Sequence, residues 1–360
     1  MKEKSITLLL PCVSTKPYGG CKISLDYCNA LQEAGYEVHI VYPCSLLFKQ
    51  RSFLDKLKSF ARWFKYIGRY SCRKWYPLHK EIIEHFVPSL DYHWVPKTNL
   101  YIATSVETAI YLNQYGLEKK RNFYFIQDFE TWNCDEATVR RTYHFPFTKI
   151  VISKWLESII FNEEGESCVV VPNGFDSSLF KITVPVEEKN KYEISMMDHV
   201  RPTKDVETGF KALCLVKETI ENLRVNVYSI YPPSRNFPDW VHFYYNPSFE
   251  EHLAINNRSA IYLATSKAEG WGLTIGEAML CGQAVVCTNN KGYLEMAKDG
   301  YNALVSDIGD YKGLSKRIIR LIEDDSLRYQ ISKNAENSIK QYDNKISEAK
   351  FIAVINGKLS

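Results

Sequence analysis

Apolar residues in this chain fall into short dense runs. Longer stretches, in which they recur every three or four positions, lie between the runs. Runs at 6–10, 38–42, 100–103, 123–127, 150–153 and 169–171 are apolar on both faces, as parallel strands covered by helices are. The stretch 22–34 has helical spacing and stops at Gly35. The alternation then starts again. Runs at 192–197, 224–230, 242–245, 261–265 and 284–288 predict strands, and 205–221, 274–281, 311–324 and 326–341 predict helices. Two strand–helix series in succession predict two doubly wound α/β domains. A length of 360 residues suits two such cores. The polar stretch 176–191 lies between the series and reads as their linker. The expected division is 1–175 and 187–340, with 341–360 a last helix returning to the first domain.

One segment departs from the alternation. Residues 49–80 hold ten Lys or Arg against a single acid, Asp55, which leaves the rest of the chain net negative. Phe53, Leu57, Phe60, Phe64 and Ile67 follow one another at steps of four and three, so a helix here carries one apolar stripe among basic residues. Such a helix suits an anionic membrane surface. It equally suits a helix docked on its own domain with a solvated basic face. Nucleic acid is the other common use of the charge, but no nucleic-acid module is visible.

Composition narrows the class. The chain is 45% hydrophobic and 24% charged, which is globular. No run approaches the ~20 apolar residues that span a bilayer. The ten cysteines make no C-x-x-C pair and no zinc spacing, and several sit in apolar runs. This predicts a reducing, cytoplasmic location, with any membrane contact peripheral on the inner face of the plasma membrane. The 24 tyrosines suit sugar or membrane interfaces, and equally a Tyr-rich core.

The densest chemistry lies in KAEGWGLTIGEAMLCGQAVVCTNNKGYLEMAKDGYNALV, residues 267–305. A buried strand ends near Ser266. A loop with Gly270 and Gly272 follows, then a helix from about Thr274. The carboxyl ends of parallel strands are where such folds bind ligands. Glycines let backbone amides come close to a ligand, and a helix start offers N–H groups to a diphosphate. Glu269 and Glu277 flank the turn, and carboxylates are good acceptors for vicinal hydroxyls. An anionic donor beside two acids needs cations. Arg201 and Lys204, after the first strand of the second series, can supply them.

The string resembles the E-x7-E region of retaining family 4 glycosyltransferases. The likeness runs through E-G-W-G-L, E-A-M-x-C-G, G-Y-x-E and D-G-Y-N-A-L-V. The resemblance implies the GT-B fold, two Rossmann-like domains facing across a cleft. It implies that Glu269 contacts the donor sugar, that Gly270, Trp271, Gly272, Leu273 and Thr274 line the donor, that Glu277 binds the ribose, and that Glu295 caps or orients the adjoining turn. Trp271 stands where relatives usually have Phe. Arg201 and Lys204 are three apart where relatives space them by five, and Asp205 replaces a Gly. Asn289, Asn290, Lys291 and Gly292 replace a small-residue turn. In the first domain Gly19 and Gly20 match a Gly-Gly near the donor phosphate. Ser153 with Lys154, and Pro172, Asn173 and Gly174, match a domain-closing segment. Gln127, Asp128 and Glu130 form a Q-D-x-E version of the family's His-Asp, similar to bacterial rhamnosyltransferases. Asp128 is the expected catalytic or acceptor-orienting carboxylate; the alternative is a cap on the following helix. Thr104 and Ser105 end another strand.

The implied activity moves a hexose or deoxyhexose, with retention, from a nucleoside-diphosphate-sugar to a glycan or lipid-linked glycan in cell-surface polysaccharide synthesis. dTDP-rhamnose and UDP-hexose are the donors considered. No D-x-D pair suggests a metal, and no cofactor is expected. A sugar-nucleotide epimerase of the same fold, a phosphorylase and a non-catalytic membrane-associated binding subunit are the rivals; the phosphorylase lysine motif is not found.

Overall fold

A computed structural model describes residues 4–13, 16, 18–45 and 52–359. The chain forms two compact units, 1–172 with 346–360, and 173–345. The junction therefore falls before Asn173. The stretch 176–191, expected as a linker, belongs to the second unit: it includes Val186, which is buried, and the start of a strand.

The first unit is built on seven parallel strands, β1 (Ser5–Leu9), β2 (Glu37–Pro43), β3 (Ile83–Val87), β4 (Leu100–Ala103), β5 (Asn122–Ile126), β6 (Thr148–Val151) and β7 (Val169–Val170), in the order 3-2-1-4-5-6-7. Its helices include α1 (Gly19–Glu33), α2 (Phe53–Tyr66), α3 (Val106–Gln114), α4 (Glu136–Tyr143) and α5 (Lys154–Glu164). The second unit has β8 (Asn190–Met197), β9 (Arg224–Ser229), β10 (Val241–Tyr245), β11 (Ser259–Ala264), β12 (Ala284–Thr288) and β13 (Leu304–Ser306), again parallel, in the order 10-9-8-11-12-13. Its helices are α6 (Val206–Thr219), α7 (Phe249–Arg258), α8 (Leu273–Leu280), α9 (Tyr311–Glu323) and α10 (Asp325–Ile339). The last helix, α11 (Asn344–Ile355), returns to the first unit, where Phe351 stacks on Tyr27 with ring centroids 4.0 Å apart.

Both sheets reverse their strand order beside the first strand of the unit, at β1/β4 and at β8/β11. Ligands of open α/β sheets bind outside the carboxyl ends of the strands at such a reversal. Apolar positions of β8, β9, β11 and β12, such as Ile194, Val227, Leu263 and Val286, pack under Leu213, Ile318 and their neighbours. The loops at the strand ends thus stand on a rigid base.

Helix starts divide by position. Short polar side chains cap α2, α3, α4, α5, α7, α9 and α10, through Ser52, Ser105, Asp135, Ser153, Ser248, Asp310 and Asp324. The helices that follow β1, β8 and β11 carry no side-chain cap at Tyr18, Asp205 or Gly272. Their first N–H groups are the ones a ligand could satisfy.

Candidate functional site

The reversal in the second sheet brings the loops after β8 and β11 side by side. Lys267 donates its backbone N–H to Thr203 O at 2.7 Å, and Thr265 Oγ1 donates to Asp205 O at 3.0 Å. Asp205 has φ 47°, the left-handed region that glycine favours and Asp tolerates better than most residues. Asp205 thus holds the conformation that suits the Gly the resemblance leads one to expect there. Its carboxylate accepts from Thr208 Oγ1 at 2.8 Å and lies 3.5 Å from Lys267 Nζ. So placed, Lys204 Nζ reaches Glu269 Oε1 at 2.5 Å, and the two side chains are only 19% and 15% exposed.

Two residues to which sequence reasoning gave no role hold Glu269, and Asn290 holds those two. Ser266 Oγ donates to Glu269 Oε1 at 2.7 Å. Tyr293 OH reaches Ser266 Oγ at 2.9 Å and the same Glu269 oxygen at 3.4 Å. Asn290, buried, donates to Ser266 O at 2.9 Å and accepts from Tyr293 N at 3.1 Å. Asn290 therefore anchors the 290–295 turn. Glu295 ends that turn, half-buried, and its carbonyl accepts from Tyr342 OH at 3.0 Å. Gly292 backs the loop closely: a Cβ there would lie 2.3 Å from Glu269 O. Gly272 has φ 116°, and a Cβ would meet the Tyr293 ring at 2.8 Å.

Helix α8 then leaves with an uncapped start and no acid in its first turn. Thr274, half-buried, lies near the Tyr262 hydroxyl of β11 and lowers its pKa against the rise that burial causes. Glu277, half-buried, and Glu269 both help raise the pKa of Tyr262, after burial itself, so both acids lie near one buried ring. Gly270 is buried and Leu273 half-buried. The Trp271 ring is buried edge-on to Tyr342, 5.1 Å away, and its indole N–H has no partner among the described residues. Asn173 is buried in the same unit. Two residues on, Phe175 covers Gly276 of α8 so closely that a Cβ there would meet its ring at 2.1 Å.

Arg201 sits half-buried, and its N–H donates to His199 Nδ1 at 3.0 Å. Burial first, then the charges of Lys204 and Arg201, push His199 down to about 4, against Glu269 and Asp198. His199 is thus neutral at pH 7. It too escaped sequence reading, although it lies two residues from Arg201.

The first unit gathers another group at its own reversal. Gly19 and Gly20 open α1. Gln127 Nε2 donates to Ser24 Oγ at 3.1 Å, and a Cβ on Gly20 would stand 3.4 Å from Gln127 Oε1. Asp128 accepts from Phe129 N at 2.9 Å and from Trp132 Nε1 at 3.1 Å. It does not cap the following helix; Asp135 does. Glu130 is buried and accepts from Val106 N at 3.1 Å, at the start of α3. Its carboxyl is pushed up to about 8 by burial, with Asp128 and Glu107 adding to the shift and the Val106 N–H opposing it. Thr104 and Ser105 are buried, with Ser105 capping α3. Ser153 likewise caps α5, which starts at Lys154. A cavity of about 330 Å³ opens past the ends of β1 and β2, with Cys12, Cys44, Asp55, Lys58 and Arg62 in its wall. This cavity belongs to the first unit, and the Glu269 loop to the second.

Residues 234–338 match the family Glycosyl transferases group 1. This segment takes in the whole of α8, Glu269 and Tyr293. An uncharacterized glycosyltransferase of Methanocaldococcus jannaschii is 23% identical over 203 residues, 54% of each chain. The N,N'-diacetylbacillosaminyl-diphospho-undecaprenol alpha-1,3-N-acetylgalactosaminyltransferase of Campylobacter jejuni is 33% identical over 26% of this chain and 24% of its own. The chain thus spans about half, or less, of these curated relatives. Among solved structures, the sucrose-phosphate synthase of Thermosynechococcus elongatus aligns over 99% of both chains with TM-score 0.73 and 15% identity. Anabaena HepE, solved with UDP and glucose, aligns over 99% of this chain and 100% of its own with TM-score 0.73 and 16% identity. The two parallel-sheet units are those of the GT-B fold.

Proposed function

We propose that this group 1 glycosyltransferase segment serves a transferase that moves a hexose or deoxyhexose from a nucleoside-diphosphate-sugar to an acceptor hydroxyl, with retention, in cell-surface polysaccharide synthesis. The observation that carries it is the Lys204–Glu269 pair beside the uncapped start of α8, at the reversal of the second sheet. Lys204, Arg201 and the Leu273 and Thr274 amides receive the diphosphate. Glu269 takes sugar hydroxyls and Glu277 the ribose. The Lys204–Glu269 pair is already set where the donor brings both an anion and hydroxyls, so each partner can pass to the donor with little rearrangement. In the transfer the bond from the anomeric carbon to the leaving phosphate breaks as the bond to the acceptor oxygen forms. The acceptor proton passes to the departing diphosphate. Lys204 and Arg201 stabilise the charge that grows there, and this asks for no metal.

UDP-hexose and dTDP-rhamnose are the donors to try first; HepE was solved with UDP and glucose. The acceptor is a glycan or lipid-linked glycan, received by the first unit, with Asp128 orienting its hydroxyl. The Campylobacter relative's name carries a diphospho-undecaprenol acceptor, and the Lys58/Arg62 cavity suits an acceptor with an anionic head. We place this work in the cytoplasm.

The test is release of nucleoside diphosphate from each donor by purified protein. Glu269→Ala and Arg201→Ala should each lower turnover by roughly 10²-fold or more in a chain that still folds by circular dichroism. Donor binding with no turnover in the unaltered protein, given lipid-linked and free glycans, would instead mean a binding subunit.

A further inference from the structure

Helix α2 has one face fixed to its domain and another that is largely exposed among the described residues. Lys49 and Arg51 of the basic segment, and the side chains of Phe53 and Lys56, lie outside the described residues. Ser59 is buried and donates to Pro88 O at 3.2 Å. One turn on, Trp63 Nε1 donates to Phe86 O at 2.7 Å, and its ring lies 5.6 Å from that of Trp94. Beside this anchor stand Leu54, Leu57, Phe60, Phe64 and Ile67, which are 65%, 51%, 46%, 73% and 52% exposed; of these the Phe60 ring leans on the anchor, 5.3 Å from Trp63 and 6.3 Å from Trp94. Steps of three and four residues put them on one ridge. Taking such side chains out of water is favourable, so an exposed ridge of five favours a cover.

Charge selects the cover. Lys58, Arg62 and Lys65 follow one another along the flank between ridge and anchor, and Arg69 extends the line. Among the described residues none of the four has a carboxylate partner. Asp55, the one acid of the segment, is spent on the capping box with Ser52. A second copy of this chain would bring the same positive charge to the same ridge and be repelled. A bilayer with anionic headgroups accepts both features, phosphates against the basic line and acyl chains under the ridge.

We propose that α2 is a lipid-docking helix that seats the first unit on an anionic bilayer, with Leu54, Leu57, Phe60, Phe64 and Ile67 below the headgroups. The inference does not rest on the glycosyl-transfer reading, since vesicle binding is measured without donor or acceptor. The full chain is sedimented with vesicles of phosphatidylcholine, alone or mixed with phosphatidylglycerol. Binding to the mixed vesicles should be at least about tenfold tighter and should weaken with salt. The double variant Leu57→Ser/Phe64→Ser should lose it at unchanged melting temperature, and Arg62→Gln/Lys65→Gln should lose the preference for phosphatidylglycerol. As a second readout, Phe64→Trp should shift its emission to the blue on mixed vesicles and be quenched by brominated acyl chains. The proposal is overturned by absence of vesicle binding, by equal binding of the Leu57→Ser/Phe64→Ser chain, or by a concentration-dependent dimer that this variant abolishes.

Discussion

Gly272 answers to two constraints at once, a φ of 116° and the Tyr293 ring 2.8 Å from any Cβ. Gly165 has φ 71° but open space around it. Gly165→Ala should therefore cost about 1–2 kcal/mol, the backbone term alone. Gly272→Ala should cost more in chemical denaturation and also weaken nucleoside-diphosphate binding, because Tyr293 must move and Tyr293 holds Glu269. Equal losses in the two variants would show that the ring contact is soft. Glu130 gives a pH test. Its folded carboxyl titrates near 8 against an ordinary 4.5, so between those values the folded chain keeps a proton that the unfolded chain releases. A raised value contributes stability that is full below about 4.5 and fades as pH rises toward 8. Glu130→Gln stays neutral and can still accept from Val106, so its melting temperature should gain on the unaltered protein as pH goes from 5 to 8. A constant difference across that range would mean Glu130 is already ionised. Glu269 and Lys204 were each legible in the sequence as a motif carboxylate and a loop cation. Ser266, Asn290, Tyr293 and His199 were not, because ordinary polar residues gain a role only from what folding sets against them.

Helices show where sequence patterns suffice. Periodicity predicts α6, α8, α9 and α10 to within a residue or two, since each buries one stripe on a sheet. The strands β3 and β13 were missed for a physical reason: β3 is an edge strand with only Val87 fully buried, and β13 has three residues. Neither shows the dense apolar run of a central strand. Helix α8 depends on a contact no pattern shows, Phe175 lying on Gly276. Gly276→Ala should lower stability by about 1–3 kcal/mol through overpacking, and Phe175→Leu in the same chain should restore part of it. Thermal denaturation of the three variants reads this; additive losses would mean the two sites do not touch. The bare starts of α1, α6 and α8 also form a pattern only in three dimensions, because the strands they follow flank the sheet reversals.

For the molecule as a whole the expectations concern ligands. A nucleoside diphosphate that binds only the folded chain should stabilise it by about 2.7 kcal/mol at a hundred times its Kd. The shift should shrink in Arg201→Ala, and no shift with any nucleoside diphosphate would remove the donor site. Chelation with EDTA should leave donor turnover unchanged, since Arg201 and Lys204 carry the counter-charge; loss restored by a divalent ion would overturn that. By itself the sequence determined two α/β units, a motif of two carboxylates and glycines after β11 and a basic amphipathic helix, because periodicity and local motifs are properties of neighbours along the chain. Only the tertiary structure decided that β8 and β11 lie side by side, joining Lys204 to Glu269, 65 positions apart in the chain. It alone decided that the chain divides before Asn173 rather than in the polar stretch after it, and that α2 turns its apolar ridge to the outside. Strand order and the facing of a helix are set by packing among distant segments, and no local pattern encodes them.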